Sequence, residues 1–440
     1  MVRPARKTPR CAHAHPLSAS PCYRIFPMNV PTLGGPRFDS RSSHTISDEI
    51  RIPERIEIGA EPGLQFELAG PRAKLFFEAK KTRASIVTCG GLCPGLNNVI
   101  RSLFLELHYG YGVAEVLGFR GGYGGLDPAC GVEPIRITPR FVDGIHQKGG
   151  TVLGSSRGPV DVNRAVDNLI ALKVDILFTI GGDGTQRGAN DLHQEARRRG
   201  HPLAVVGVPK TIDNDVGFVS RTFGFFSAVE EAARVLDCAH TESRSIPGGI
   251  GLVKLMGRHA GFVTAGAVVA NQDVNFALIP EVPFKLESFL AAVKNRMREK
   301  SHAVIAVAEG AGQGLLERDG TERDASGNVK LKDIGPFLCE QIKSYFKAEG
   351  MPVVIRYFDP SYQVRSCRAN CEDALLCDLF ARNAVHAAMA GKTGVVIGFL
   401  HERFIHVPIE LLATHTKRLD PASGWWRSVL AATGQPERFD

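Results

Sequence analysis

The stretch ILFTIGGDGTQRGA, Ile176 to Ala189, decides how this chain folds. Ile176, Leu177, Phe178 and Ile180 are apolar and Thr179 is β-branched, as in a strand buried on both faces. Gly182, Asp183 and Gly184 follow as a turn, and Gln186 to Arg199 then carries helical periodicity. Strand, glycine turn and helix form the unit of an α/β protein, whose ligands bind beyond the carboxyl ends of the strands.

Working outward, the same unit recurs. The pattern predicts strands at Ser85–Cys89, Val113–Phe119, Ile176–Ile180, Ala204–Val208, Ile250–Leu255, Ala303–Ala308, Val353–Tyr357 and Gly394–Gly398. Between them it predicts helices at Asn97–His108, Arg164–Leu172, Gln186–Arg199, Phe225–His240, Leu286–Glu299, Ile334–Ala348 and Asp373–Ala390. Alternation of this kind implies mostly parallel sheets covered on both faces.

The 440 residues suffice for two such domains, and a hydrophobic content of 44% with 22% charged residues is ordinary for an enzyme. No apolar run reaches the roughly 18–20 residues of a membrane helix, so no membrane partner is expected. The net charge of +7 is dispersed, which argues against nucleic acid and fits arginines facing a small anion. Ten cysteines are scattered without paired zinc spacing and read as reduced thiols of a cytoplasmic protein. Cys367, Cys371 and Cys377 cluster, but without a nearby histidine. Residues 1–45 are basic and rich in Ser and Pro. They read as a disordered tail, a transit peptide, or a start assigned upstream of Met28.

Three glycine or acid turns carry the chemistry. In TCGGLCPGLNNVIR, Thr88 to Arg101, Gly90 and Gly91 open a helix whose N-terminus suits an anion; a plain tight turn is the alternative. In the opening stretch, Gly182, Gly184 and Gly188 resemble a dinucleotide loop, but Asp183 would repel a bare pyrophosphate. An acid there suits Mg²⁺ on a polyphosphate, or else caps the following helix. In GVPKTIDNDV, Gly207 to Val216, Asp213 and Asp215 follow Lys210 and Thr211. Their spacing allows one general base and one metal-side or electrostatic partner, or a surface turn. Arg157, Arg258, Arg356 and Arg365 sit in glycine-rich or strand-end segments, and arginine forks suit phosphate oxygens. The residues alone point to Mg²⁺-dependent phosphoryl transfer.

Together these motifs resemble the 6-phosphofructokinase family. GGLCPGLN, GGDGTQRGA, PKTIDND, KLMGR, AEGAGQ and DPSYQVR stand in the family's order over about Gly70 to His406, in wording similar to its long-chain ATP-using branch. The resemblance implies ATP and fructose 6-phosphate as substrates and Mg²⁺ as cofactor. It implies that Asp213 is the base that takes the C1 hydroxyl proton, with Asp215 beside it. Thr211 and Arg258 would hold the transferring group with the Gly90 backbone, and Arg157 would lie between donor phosphates. Asp183 would be the metal ligand. Tyr123, Gly182, Gly184, Thr185 and Gly188 would line the nucleotide pocket. Lys210, Met256, Gly257, Glu309, Arg356, Tyr362 and Arg365 would form the sugar-phosphate side.

The resemblance implies two Rossmann-like parallel-sheet domains with the active site in the cleft between them. Residues 83–224 with 364–409 would bind nucleotide and 225–363 would bind sugar phosphate. Residues 46–82 would be a lead-in, and 410–440 a C-terminal helical extension whose Trp425 and Trp426 pack on the body or a partner. A homodimer or homotetramer is implied. Two positions bear on the donor. Gly184 leaves room for the α-phosphate of ATP, whereas Lys210 is shared with pyrophosphate users; the pair together fits the ATP-using branch. A pyrophosphate-dependent enzyme, or an NAD or lipid kinase with the GGDG turn, is the alternative. Gly249 departs from the short enzymes, which carry an arginine there that reaches a neighbouring subunit's substrate.

Overall fold

In the computed structural model, residues 30–39, 51–54, 64–158, 161–316, 323, 330–412 and 415–440 are described. Most of the basic extension expected over 1–45 lies outside them. Two sheets organise the chain. The larger has nine strands in the order Arg51–Glu54, Leu64–Leu68, Arg403–Pro408, Val395–Leu400, Ala204–Pro209, Ile176–Gly181, Arg83–Thr88, Glu115–Phe119 and Ile135–Arg136. The five from Val395–Leu400 to Glu115–Phe119 are parallel. Every residue of Ile176–Gly181 and Ala204–Pro209 is buried, which is why both read as unbroken apolar runs.

The second sheet is parallel throughout, ordered Phe276–Leu278, His302–Ala308, Gly249–Leu255, Val354–Phe358. The protein is thus α/β with Rossmann-like sheets, and each sheet has a point where the strand order reverses. In the first sheet it lies between Arg83–Thr88 and Ile176–Gly181. In the second it lies between Gly249–Leu255 and Val354–Phe358.

The margins of the large sheet depart from the expected parallel pattern. Arg403–Pro408 returns antiparallel to Val395–Leu400, and Leu64–Leu68 with Arg51–Glu54 extends it further. The hairpin turn places His401 at φ 47° and Glu402 at φ 60°. Asn or Gly normally marks such a turn, so the sequence carries no signal for it. The helix Phe262–Asn271 was also not expected, because its FVTAGAVVAN composition is apolar almost all round.

Helix ends follow local chemistry. Asp161, Asp333, Asn370 and Ser423 each cap a helix through the side chain. The helix Phe225–Arg244 packs against the second sheet, and the buried Asp373 of the helix Cys371–Met389 accepts from Ser227 N at 2.7 Å and from Ser227 Oγ at 2.5 Å. This bond ties a helix of the first unit to one of the second. At the C-terminus, Trp426 is buried at 1% exposure, while Trp425 stays partly exposed with its ring 6.1 Å from those of Phe225 and Phe262. Gln435 bonds both backbone groups of Ala277, and Phe439 is buried in the second core.

Candidate active site

The first glycine turn leaves the strand Arg83–Thr88 at the point where the strand order reverses. Gly90 N donates to Ser156 O at 2.9 Å, and Ser155 Oγ donates to Gly90 O at 2.6 Å. A cavity of about 550 Å³ opens there, lined by Gly90, Gly91, Gly154, Ser156, Arg157 and Arg365 among others. A Cβ added at Gly91 would lie 3.2 Å from Arg157 Nη2 and 3.6 Å from Arg365 Nη1. Two guanidinium groups therefore converge on bare backbone, the arrangement an oxyanion needs. Beneath them the buried Lys210 donates through Nζ to Gly91 O at 2.5 Å. Burial pushes its pKa down, and the charges of Arg157 and Arg365 act in the same direction.

The second turn is the opening stretch. Gly182 is the N-cap of the helix Asp183–Arg198 and the cap has no side-chain bond. Asp183 is the first helical residue and exposed at the surface, so the reading of it as a capping aspartate fails. Its pKa is raised to about 6 by desolvation and by the charge of Asp215, with Arg187 opposing. A carboxylate in that position gains from a cation. It fits a hard metal ion that takes its other ligands from phosphate and water. Among the described residues no three His, Cys, Asp or Glu side chains converge as a self-sufficient metal cage, Cys367, Cys371 and Cys377 included.

Two residues expected to face the nucleotide are inside the protein instead. Tyr123 is 5% exposed, and its hydroxyl donates to Thr185 O at 2.6 Å. Thr185 is itself buried. A Cβ at Gly188 would lie 2.6 Å from Tyr123 Cε2. The tyrosine thus supports the turn from below, and Gly188 makes space for its ring. Gly184 has no such constraint: an added Cβ there would meet only Arg187 Nη2, at 3.7 Å.

The third turn follows the strand Ala204–Pro209. Thr211 Oγ1 donates to Asp215 Oδ1, and Asn214, at φ 52°, accepts from Thr222 N through Oδ1. Asp213 Oδ1 is buried with no hydrogen-bond partner. Burial raises the Asp213 pKa well above the usual range, the charges of Asp215 and Glu309 add to this, and Lys210 and Arg365 oppose it. Asp215 is raised by burial too. A carboxyl with an open oxygen and a strong proton affinity is the equipment of a general base.

From the second sheet, Met256, Gly257 and Arg258 leave the strand Gly249–Leu255. Gly257 has φ 130°, and a Cβ there would lie 2.6 Å from Ala260 O; only glycine fits that bend. Glu309 N donates to Leu255 O and Gly310 N to Gly257 O, which holds Glu309 beside Arg258. Burial raises the Glu309 pKa, and Arg258, Lys254 and Arg365 oppose that shift. Tyr362 is 79% exposed, with the Arg365 guanidinium 4.8 Å above its ring.

Arg356 does not join this group. It projects from the strand Val354–Phe358 toward Glu242, at 3.6 Å, with both side chains about half exposed. The resemblance sets Arg356 on the sugar-phosphate side with Arg365, but in this chain its guanidinium faces Glu242 instead. Arg356 leaves from the body of its strand, whereas Arg365 lies past the strand's end in the helix Gln363–Ser366.

Sequence reasoning also missed residues. Ser155 and Ser156 lie in the GSSRG segment that carries Arg157 and were there to be read. Lys417 stands in THTKRLD, where nothing distinguishes it from a surface lysine. Its backbone N–H donates to Asp215 O at 3.0 Å, and burial lowers its pKa to about 7 against the opposing charge of Asp215.

The phosphofructokinase family model matches residues 83–388. An ATP-dependent 6-phosphofructokinase of Borreliella burgdorferi is 42% identical over 409 residues, covering 90% of this chain and 92% of that protein. One of Amycolatopsis methanolica is 44% identical over 439 residues, covering 94% and 95%. Among solved structures, a pyrophosphate-dependent phosphofructokinase of Marinobacter aquaeolei superposes with a TM-score of 0.67 at 22% identity, covering 80% of this chain and 91% of the other. That last likeness bears on the fold alone.

Proposed function

The chain belongs to the phosphofructokinase family, and from that premise we infer that it is an ATP-dependent 6-phosphofructokinase, transferring the γ-phosphoryl group of ATP to the C1 hydroxyl of fructose 6-phosphate. The observation that carries the reading is the open, buried Oδ1 of Asp213 within electrostatic reach of Glu309, Arg365 and Lys210.

An alcohol has a pKa far above 7 and needs a positioned base. Asp213 takes that role. Thr211 anchors Asp215 and holds the turn, and Asp215 keeps the proton affinity of Asp213 high. Charge developing on the transferring group is met by Arg258 from one sheet and by Arg157 with the Gly90 backbone from the other. Arg365, stacked on Tyr362, and Glu309 with Met256 and Gly257 orient the sugar phosphate. Gly182, Gly184 and Gly188 shape the nucleotide side, with Tyr123 and Thr185 beneath it. Lys210 ties the third turn to the first and adds positive potential below the phosphates.

Asp183 would hold Mg²⁺ on the polyphosphate, and the ion would supply charge neutralisation between donor phosphates. Gly184 keeps the donor side free of a second acid, which supports ATP over pyrophosphate. A homo-oligomer is carried over from the family resemblance. Among the described residues no helix is long and apolar enough to cross a membrane. The described cysteines are all free, which supports a cytoplasmic location.

The test is a steady-state assay of fructose 1,6-bisphosphate formation with Mg²⁺, comparing ATP and pyrophosphate as donors. Turnover with ATP alone is expected. Turnover with pyrophosphate alone would make Lys210 the deciding residue, and activity with neither would overturn the reading.

A further inference from the structure

Residues 415–419 lie between the two halves of the cleft. Val216 pairs with Thr416 in an antiparallel bridge, and Lys417 N donates to Asp215 O at 3.0 Å. A Cβ on Gly217 would lie 2.6 Å from His415 O, so the two backbones touch. On the other side, Leu419 N donates to Glu281 Oε1 at 2.9 Å, and the same carboxylate accepts from Gly261 N at 3.0 Å. Gly261 closes the turn that begins with Met256, Gly257 and Arg258. The segment is thus hydrogen-bonded to the acid-bearing turn of the first sheet and, through Glu281, to the arginine-bearing turn of the second.

Lys417 is the centre of this strap. Its Nζ donates to Val219 O at 2.9 Å and to Ser220 O at 2.8 Å, and it lies 5.1 Å from the centroid of the Phe262 ring. Phe262 is the first residue of the helix that follows Gly261. Among the described residues no carboxylate is within ion-pair distance of Nζ, and the acid that acts on its charge is Asp215. Lys417 is half-buried, and desolvating an ammonium group is costly; an apolar side chain would fill the space without that cost. The charge has a use where it stands: it fixes two carbonyls at the far arm of the Asp213–Ser220 turn, over an aromatic face that belongs to the other sheet's unit.

We propose that Lys417 is a positioning residue for the phosphoryl transfer, setting the separation between Asp213 on one side of the cleft and Arg258 on the other. The proposal rests on the phosphofructokinase reading given above. Misplacement by about 1 Å costs on the order of 10²-fold in rate when it separates reacting groups, while binding made elsewhere survives.

The experiment compares wild type and Lys417→Met in the ATP assay, with thermal unfolding measured alongside. The expected result is a kcat lowered by about tenfold or more, with KM for ATP and for fructose 6-phosphate each within about threefold of wild type. A kcat within about twofold of wild type overturns the proposal, as does a rise in either KM with kcat unchanged. If Lys417→Met does not fold, Phe262→Leu removes the ring beneath the ammonium and keeps the lysine. A severalfold lower kcat at unchanged KM then supports the role, and a wild-type kcat overturns it. A wild-type enzyme without turnover overturns the functional reading itself, and this proposal with it.

Discussion

The Thr211 hydroxyl donates to Asp215 Oδ1 at 3.0 Å and accepts from the backbone N–H of Asp213 at 3.0 Å. One side chain therefore fastens Asp215 while bending the chain so that Asp213 is left with an open oxygen. Two acids separated by one residue acquire different surroundings from these two bonds. Asp215 is the held acid, and in the proposed reading Asp213 is the acid that takes a proton.

Asp213→Asn tests that division. The amide keeps the volume and cannot accept the C1 proton. A general base contributes roughly 10²–10⁴-fold, so kcat should fall by that order while KM for fructose 6-phosphate stays within about threefold. The fold should survive, because the substitution replaces a carboxyl whose ionisation burial opposes with a neutral amide. Steady-state kinetics with thermal unfolding checks both parts, and a loss under about tenfold would remove Asp213 from the role.

The pH dependence follows from the direction of the shifts. Asp213, Asp215, Asp183 and Glu309 all bind their protons more tightly in the folded chain than in the unfolded one. Stability contributed by such groups is full below the ordinary carboxylate range and declines as pH rises toward the folded values, about 6 for Asp183. Activity runs the other way, since the base must be ionised. The acid limb of kcat/KM should lie above the ordinary aspartate range. In Asp215→Asn it should move to lower pH, because the charge of Asp215 is one of the causes raising Asp213. An acid limb that stays in place in the variant would contradict the coupling.

The placement of the candidate site was legible in large part because its residues ride on strand ends. Asp183, Asp213 and Arg258 each follow a buried apolar run, and Gly90 with Gly91 follows another, so the alternation brought the turns to the carboxyl edges. Apart from Ser155 and Ser156, what escaped had no local signal. The Arg403–Pro408 hairpin turns on His401 and Glu402 rather than Asn-Gly, and Lys417 is defined only by what folds over it. The family resemblance places Tyr123 on the nucleotide side, yet its ring fills the space that Gly188 leaves. The resemblance likewise sets Arg356 beside Arg365 on the sugar-phosphate side, whereas the strand that carries it directs it to Glu242.

Gly184→Asp tests donor choice without disturbing the fold. The position faces open space, with only the mobile end of Arg187 near an added Cβ, at 3.7 Å. A carboxylate there would place a second negative charge beside Asp183, where the α-phosphate of ATP is expected. Two unit charges about 4 Å apart repel by about 4 kcal/mol at an effective dielectric of 20. Turnover with ATP should drop by roughly 10²-fold or more, with the thermal midpoint nearly unchanged. The measurement is kcat/KM for ATP in the variant and wild type, and unaltered ATP turnover would show that another residue selects the donor.

Glu67 concerns the scaffold rather than the chemistry. Its carboxylate, 2% exposed, lies 2.9 Å from Arg72 Nη2, 2.9 Å from Lys392 Nζ and 3.2 Å from His406 Nδ1. It joins the lead-in strand Leu64–Leu68 to Arg403–Pro408 and to the turn after the helix Cys371–Met389. Burial alone would raise its pKa, but His406 and Lys392 more than offset that and hold it below the carboxylate range. The stability it contributes is therefore present at neutral pH and is lost as pH falls below the ordinary value. Glu67→Ala removes the acid that Arg72 and Lys392 share, and breaking a buried pair from one side costs about 3–5 kcal/mol. The denaturation midpoint should fall accordingly at pH 7, while kcat measured well below that midpoint stays within about twofold of wild type. Near-equal stability of the variant at pH 7 would mean that the cluster is solvated in the folded protein and does not bind the lead-in strand to the sheet.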